Sequence, residues 1–243
     1  MNIQNPGELA AAAGRDFQEC YGDDLVSVAL YGSAAGGDFN ARQSDINLLI
    51  VLKALSVPLL EKSAAIQKKW MAKRFARPLF MGEEFIAQSL DVFPIEFWNI
   101  KACHKSITGK DIFSAMPIAL RHLRLQAERE IKGKQLHLYQ HWLQARQSKK
   151  EAAQLVAVSL KDFSPVFRAL LALRKKEVPG DRTLLFSAVE QEFGLGDQPF
   201  SSISTAVNDK DPGMVVSLFP AYFEGVRQLA RIIDKEELSQ EVI

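Results

Sequence analysis

The chain has 243 residues, of which 47% are hydrophobic and 24% are charged, as is typical of a globular protein with a sizeable core. Its formal net charge of +1 excludes a global field strong enough to attract nucleic acid or a membrane surface, so any electrostatic function must be local. No apolar run approaches the ~20 residues of a membrane span, the N-terminus does not resemble a signal peptide, and the two cysteines form no metal or redox motif. These features predict a soluble, cytoplasmic protein.

Residues 1–114 are predicted to form an α/β domain. A helix is expected from Pro6 to about Tyr21, because an alanine-rich segment follows a proline and ends at a glycine. The apolar run at residues 25–31 predicts a buried strand, and the glycine-bearing stretch that follows predicts a loop. Residues 45–53 are nearly all apolar after a polar start and predict a second strand covered on both faces.

The rest of this domain is predicted to contain an amphipathic helix over residues 58–75, a strand at 78–81, a helix at 82–89 and a strand at 93–100. A hinge is expected near residues 106–114. From residue 115 to residue 243 the pattern predicts a helical domain, with helices near residues 117–147, 151–176, 183–194 and 213–237. The predicted fold class is α+β, a small mixed sheet with flanking helices followed by an all-α domain.

Polar side chains converge where the first two strands meet their loop. Gly32 permits the close approach of an anion, and the backbone N–H groups and the Ser33 hydroxyl can bind it. Asp45 and Asn47 lie two residues apart on one strand, so their side chains share a face and can hold a divalent ion against a triphosphate. Glu96, on the strand predicted at residues 93–100, is placed to act as a third acid.

These residues resemble the signature of the DNA polymerase beta-like nucleotidyltransferase superfamily, in particular its minimal and kanamycin-type branch. In that signature a Gly-Ser pair precedes Asp-x-Asp by about ten residues; here eleven residues separate Ser33 from Asp45, which begins Asp-Ile-Asn. The resemblance implies transfer of a nucleoside monophosphate from an NTP to a hydroxyl, with Mg²⁺ or Mn²⁺ held by three carboxylates. The acceptor, a small molecule, protein or RNA, is not readable from the sequence.

Carried over residue by residue, the resemblance implies that Gly32 and Ser33 bind the triphosphate. It further implies that Asp45 and Glu96 are catalytic and that Asp45, Asn47 and Glu96 hold the metal. Arg42 is a candidate phosphate contact, although a solvated loop arginine explains it equally well. Glu96 also has an alternative interpretation as a surface residue of an edge strand.

Asn47 stands where the family has its second acid. An amide oxygen can coordinate Mg²⁺ but brings no charge, and a unit charge 4 Å from the ion is a matter of several kcal/mol at an effective dielectric constant of ~20. Asp38 and Asp91 are candidate substitutes. The alternative function is therefore a catalytically weakened module that binds a nucleotide or a partner, including a component of a toxin–antitoxin type system.

The helical domain contains one local excess of positive charge. Residues 121–150 contain eight Lys and Arg residues and two acids. Because no aromatic pattern suited to base stacking accompanies them, solvated helix faces are the favoured interpretation. His137 and His141 lie one helical turn apart without an evident third metal ligand, which favours two surface histidines.

Overall fold

The computed structural model describes residues 3–36, 39, 41, 44–236 and 241–243. The chain divides into two compact units, residues 1–117 and 118–243, so the boundary between them lies three residues beyond the predicted end of the first domain. No helix in the described ranges is long and apolar enough to span a membrane.

The first unit is a four-stranded mixed sheet with helices. Its strands are β1 (Leu25–Tyr31), β2 (Asn47–Leu52), β3 (Leu79–Gly82) and β4 (His104–Gly109). The spatial order is β3-β2-β1-β4, with β1 antiparallel to both β2 and β4, and β2 parallel to β3. Its helices are α1 (Pro6–Tyr21), α2 (Val57–Lys62), α3 (Ala64–Met71), α4 (Glu83–Ser89) and α5 (Pro94–Ala102).

Helix α1 starts and stops where its local sequence predicts. The Asn5 side chain accepts a hydrogen bond from Glu8 N at 3.2 Å, Pro6 occupies the first turn, and Gly22 follows the last residue with φ of +53°. The helix buries Phe17 and its alanines against one face of the sheet. This layer contains the apolar core of the first unit and leaves the ends of β1 and β2 to form the site.

Where the structure describes the second unit, its regular secondary structure is helical apart from one short bridge. Its helices are α6 (Leu120–Ala145), α7 (Lys149–Leu173), α8 (Arg182–Glu192), α9 (Pro199–Asn208) and α10 (Pro212–Asp234). Helices α6, α7 and α10 pack against one another, and α9 packs on α10. The core is aromatic, and its fully buried rings belong to Phe163, Phe167, Phe186, Phe200 and Tyr222.

This core contains a pair of hydroxyl groups and a buried carboxylate. The Tyr222 and Ser159 hydroxyls lie 2.6 Å apart. Glu190, only 4% exposed, accepts hydrogen bonds through Oε1 from Phe200 N at 2.6 Å and Ser201 N at 2.8 Å, and through Oε2 from the Ser201 hydroxyl. The Glu190 carboxylate therefore caps the start of α9, where the residue at the N-cap position makes no side-chain cap bond.

The beginning and the end of the second unit lie side by side. Ala119 is bridged to Val242 in antiparallel fashion. Ile118 N donates to Ile243 O at 3.0 Å, and Ile243 N donates to Ile118 O at 2.9 Å. The segment that enters α6 is therefore paired with the segment at residues 241–243.

Several predicted elements are corrected by the structure. Residues 93–100 do not form a strand: they lie almost wholly within α5. The last strand of the sheet is β4, which begins at His104 and overlaps the first part of the segment predicted to be the hinge. The helix predicted at 58–75 is divided at Ser63 into α2 and α3, and α9 was missed. Helix α5 was misread because it is buried on nearly every side, so its apolar residues show no helical period.

Candidate functional site

The turn after β1 requires a glycine for two reasons. Gly32 has φ of +71°, a left-handed conformation that costs other residues energy. A Cβ atom at Gly32 would lie 3.2 Å from the side-chain nitrogen of Asn47. The carbonyl oxygen of Gly32 accepts hydrogen bonds from Ala35 N at 3.0 Å and Gly36 N at 3.2 Å, which closes a tight turn. The turn and the start of β2 are thus in contact.

Asn47 is the first residue of β2 and Asp45 lies two residues before it, both on the side of the chain away from Ile46. Ile46 is fully buried in the apolar core, whereas the Asp45 side chain is 59% exposed. Asn47 is paired with Tyr31, the last residue of β1. The alternation of a strand therefore presents the Asp45 and Asn47 side chains on one face, beside the Gly32 turn.

Arg74, which the sequence analysis did not single out, holds the segment that leads into β2. Its guanidinium donates to Ala41 O at 2.9 Å and to Ser44 O at 2.6 Å, and Nε lies 3.9 Å from Asp45 Oδ1. Its carbonyl oxygen accepts from Ile46 N at 3.0 Å. Arg74 therefore fixes the backbone on both sides of Asp45, and it does so from a left-handed conformation with φ of +64°.

Arg74→Ala is expected to lower the free energy of unfolding of the first unit by about 2–3 kcal/mol, because two carbonyl groups lose a charged donor while the strain of the positive φ remains. Arg74→Gly removes the same bonds without the backbone strain and should cost less. Thermal unfolding, with hydrogen exchange of the amides from Ser44 to Asn47, measures both effects. Arg77→Ala, at an exposed side chain in the same segment, is the control and should change stability by no more than ~0.5 kcal/mol. Equal losses from Arg74→Ala and Arg77→Ala would refute this role.

Strand β4 begins beside the same turn. The Cys103 thiol donates to Gly32 O at 3.6 Å, a sulfur distance, and His104 is paired with Tyr31. Since Tyr31 is also paired with Asn47, these three residues form one row across the sheet. The strand that flanks β1 on this side therefore places a histidine level with Asn47, and β4 itself contains no acidic residue.

The His104 ring is held on both sides. Nδ1 lies 3.0 Å from Ile100 O, and Nε2 lies 3.1 Å from Asp111 Oδ1. Hydrogen bonds from the Ser114 hydroxyl and backbone N–H, with further ones from Phe113 N–H and His104, hold the pKa of Asp111 well below its usual range. Asp111 is therefore an ionised anchor for His104.

The structure does not place Glu96 on a strand beside β1. Glu96 lies in the first turn of α5 and is exposed. Glu96 was predicted to lie next to Asp45 because residues 93–100 were expected to form a strand. That strand prediction is wrong. Its roles as a catalytic acid and as a metal ligand stay predictions without that support.

The remaining candidates are divided between described and undescribed parts of the chain. Gly32 and Ser33 lie in the turn as predicted. Arg42, the candidate phosphate contact, and Asp38 lie outside the described residues. Asp91, the other candidate substitute acid, is exposed in the turn between α4 and α5.

The donor groups of the described residues do not fit a two-metal centre. Among the described residues no group of three His, Cys, Asp or Glu side chains is arranged to hold a metal ion. At the start of β2 there is one carboxylate, Asp45, and one neutral amide, Asn47. The flanking positions carry Arg74 on one side and His104 on the other. Two divalent ions need several carboxylates to offset their charge, and these flanks offer basic groups instead.

Comparison with known proteins gives one structural finding. No family model matches the chain, and no curated protein sequence matches it. A crystal structure of spectinomycin adenyltransferase AAD(9) from Enterococcus faecialis, with ATP and spectinomycin, is similar over 90% of this chain and 98% of that chain. The identity is 11% and the TM-score is 0.56. At this identity the likeness shows the fold alone: the chain has an α+β nucleotidyltransferase fold with a large helical C-terminal region.

Proposed function

We propose that the first unit binds the triphosphate of an NTP at the Gly32–Ser33 turn, and that binding rather than nucleotidyl transfer is its principal activity. The observation that carries the proposal is the asymmetry of the site. The glycine-bearing turn that the proposal assigns to the phosphates is formed, while the segment that leads into β2 supplies a single carboxylate, Asp45.

The charges beside the turn favour an anion over a divalent cation. The Arg74 guanidinium lies against Asp45 and offsets its charge. On β4, His104 lies level with Asn47, and its ring is already hydrogen-bonded to Asp111. Small residues allow the phosphates to approach the backbone N–H groups of the turn, as in other anion-binding loops. Arg42 is retained in the proposal as a phosphate contact.

Isothermal titration calorimetry with ATP and the other NTPs, in EDTA and again in Mg²⁺, tests this proposal. We expect binding that persists in EDTA, because the described residues of the site supply a single carboxylate, too few to make binding depend on a metal. Gly32→Val should lower the affinity by about ten-fold or more, since its side chain meets the Asn47 amide and its φ is unfavourable.

Gly7→Ala is the matched control in the same unit, because its added Cβ would make only an ordinary contact, 3.5 Å from Asn5 Oδ1. It should leave both fold and affinity unchanged. Absence of NTP binding in EDTA and in Mg²⁺ would sink the proposal, as would equal binding by Gly32→Val and the wild type when both are folded.

A second candidate function is nucleotidyl transfer to a small-molecule hydroxyl. It is favoured by Asp45, which stands where the family has its first metal ligand, and by the similar fold of an enzyme solved with ATP and spectinomycin. In such a transfer an acceptor oxygen forms a bond to the α-phosphorus, pyrophosphate leaves, and the hydroxyl proton is released. The comparisons add no support for a toxin–antitoxin role.

Incubation with ATP labelled at the α-phosphate, Mg²⁺ or Mn²⁺, and spectinomycin or other hydroxyl-bearing acceptors distinguishes the two candidates. Transfer predicts label on the acceptor that Asp45→Ala abolishes, and Glu96→Gln tests the second predicted catalytic acid. Binding alone predicts no label with the wild type, and activity that emerges on Asn47→Asp would identify a transferase weakened by loss of its second acid.

A further inference from the structure

Helix α6 has apolar residues on two faces, and only one of them is buried. The inner face packs against α7 and α10 through fully or nearly fully buried side chains, namely Leu120, Leu123, Ala127, Ile131, Leu138 and Ala145. The outer face carries four large apolar side chains in contact with solvent: Leu125 (59% exposed), Leu136 (64%), Tyr139 (60%) and Leu143 (67%). Large apolar side chains grouped on one exposed face are typical of an interaction surface.

The exposed side chains follow the spacing of a coiled-coil seam. Alternate steps of four and three residues connect seven positions, which we call the outer seam: Leu125, Arg129, Lys132, Leu136, Tyr139, Leu143 and Arg146. Sites at this spacing lie along one line of a helix and receive the side chains of a facing helix. Helix α6 has 26 residues and contains the first six of these positions, and Arg146 is its C-cap residue, which still has a helical backbone conformation.

The outer seam lies on a rigid support. Tyr139 packs edge-to-face on Phe223 of α10, with ring centroids 4.8 Å apart. Three residues further along the helix, Trp142 stacks on Phe219. Aromatic side chains already ordered in this way lose little conformational freedom when a partner covers them, which favours binding.

The charge of the outer seam selects among possible occupants. Its three polar residues, Arg129, Lys132 and Arg146, are all basic, and none of the seven is acidic. Lys132 is already paired within the unit, with Glu128 at 2.6 Å and with Asp234 at 2.7 Å. Arg129 and Arg146 are therefore the cations that the outer seam offers to a partner. The seam of a second copy contains no carboxylate. A dimer through this face would therefore bury the cations without an acidic partner from that seam, and burying an unpaired charge costs free energy.

We propose that the outer seam docks an amphipathic helix of a partner protein, with apolar residues facing Leu125, Leu136, Tyr139 and Leu143 and acidic residues facing Arg129 and Arg146. Apolar contact provides the affinity, and charge pairing fixes the register and excludes basic helices. This surface belongs to the helical unit, and its proposed role is independent of nucleotide binding.

Two synthetic helical peptides provide the probes, both with leucine at the a and d positions of four heptads. One carries glutamate at the positions flanking the seam, and the other carries lysine there. Fluorescence anisotropy with the full chain should show the glutamate peptide binding about ten-fold more tightly or better. Higher salt should weaken its binding.

The double variant Leu136→Asp with Leu143→Asp should abolish this binding, while the fold survives because both side chains are exposed. Leu184→Asp, at an apolar residue of α8 that is 61% exposed and outside the seam, is the matched control and should bind as the wild type does. Failure of both peptides to bind, or equal binding by both, would overturn the proposal.

Two further measurements separate other occupants. A dimer in sedimentation velocity that the double variant loses would assign the outer seam to self-association and overturn the proposal. Binding to anionic phospholipid vesicles that the double variant loses, without binding of the glutamate peptide, would assign it to a membrane surface and overturn it equally.

Discussion

Glu190→Ala is expected to lower the free energy of unfolding of the helical unit by about 3–4 kcal/mol. The Glu190 carboxylate accepts the backbone N–H groups of Phe200 and Ser201 at the start of α9 and also the Ser201 hydroxyl. Alanine would leave a buried N–H group without an acceptor and open a cavity beside it. Thermal unfolding with hydrogen exchange assigned to α8, α9 and α10 would measure the loss.

Glu192→Ala serves as the control on the same helix. Glu192 makes only an ion pair with Lys176 at 3.2 Å near the surface, a type of contact worth about 0–1 kcal/mol. Glu190→Gln should cost less than Glu190→Ala, because an amide oxygen can still accept the two backbone N–H groups but without the charge. Equal effects of Glu190→Ala and Glu192→Ala would show that the buried cap does not stabilise α9.

Gly109→Ala is expected to destabilise the first unit by about 3 kcal/mol or more. Gly109 ends β4 with φ of +82°, and an added Cβ would lie 2.2 Å from Val26 O and 2.9 Å from Val26 C. These are backbone atoms of the neighbouring strand, which cannot move aside as a flexible side chain can. Because β1 carries the Gly32 turn, the variant should also lose NTP affinity.

Gly133→Ala provides a control with the opposite sign. Gly133 lies inside α6, and a Cβ there would meet no atom within 4 Å, so alanine should stabilise the helix by about 0.5–1 kcal/mol. Differential scanning calorimetry, with hydrogen exchange to assign each transition to its unit, would measure both variants. A Gly109→Ala protein as stable as the wild type would contradict the close approach of β4 to β1.

The elements whose signals are local were predicted most accurately from the sequence. Helix α1 has a capping asparagine, a proline in its first turn and a glycine at its end, and strand β1 is a continuous apolar run between two glycines. The Gly32–Ser33 turn and the shared face of Asp45 and Asn47 follow from the same local rules. All of these depend on residues close together in the chain.

The elements that were misread depend on burial and pairing with distant residues. Helix α5 is enclosed by the rest of the unit, so its apolar residues show no periodicity. Strand β4 is half exposed and has polar residues at several positions, so nothing but its pairing with β1 identifies it. Because the segment around Glu96 forms α5 and the last strand is β4, Glu96 is not a strand residue.

Two further features, Arg74 and helix α9, were not predicted from the sequence, and the reasons differ. Arg74 contributes through hydrogen bonds to carbonyl groups about thirty residues earlier in the chain, and no local pattern indicates such a contact. Helix α9 has one local signal, since Pro199 occupies its first turn, but its cap comes from Glu190 of α8 and not from its own N-cap residue.

The pairing of Ile118 with Ile243 brings the first and last residues of the helical unit into contact. Its two ends are already adjacent and hydrogen-bonded, so a short linker can join them without moving a helix. New ends can then be opened in the exposed turn at Asp197, between α8 and α9. The helices could therefore follow one another in a different order along the chain while keeping the same packing. This unit is suited to circular permutation.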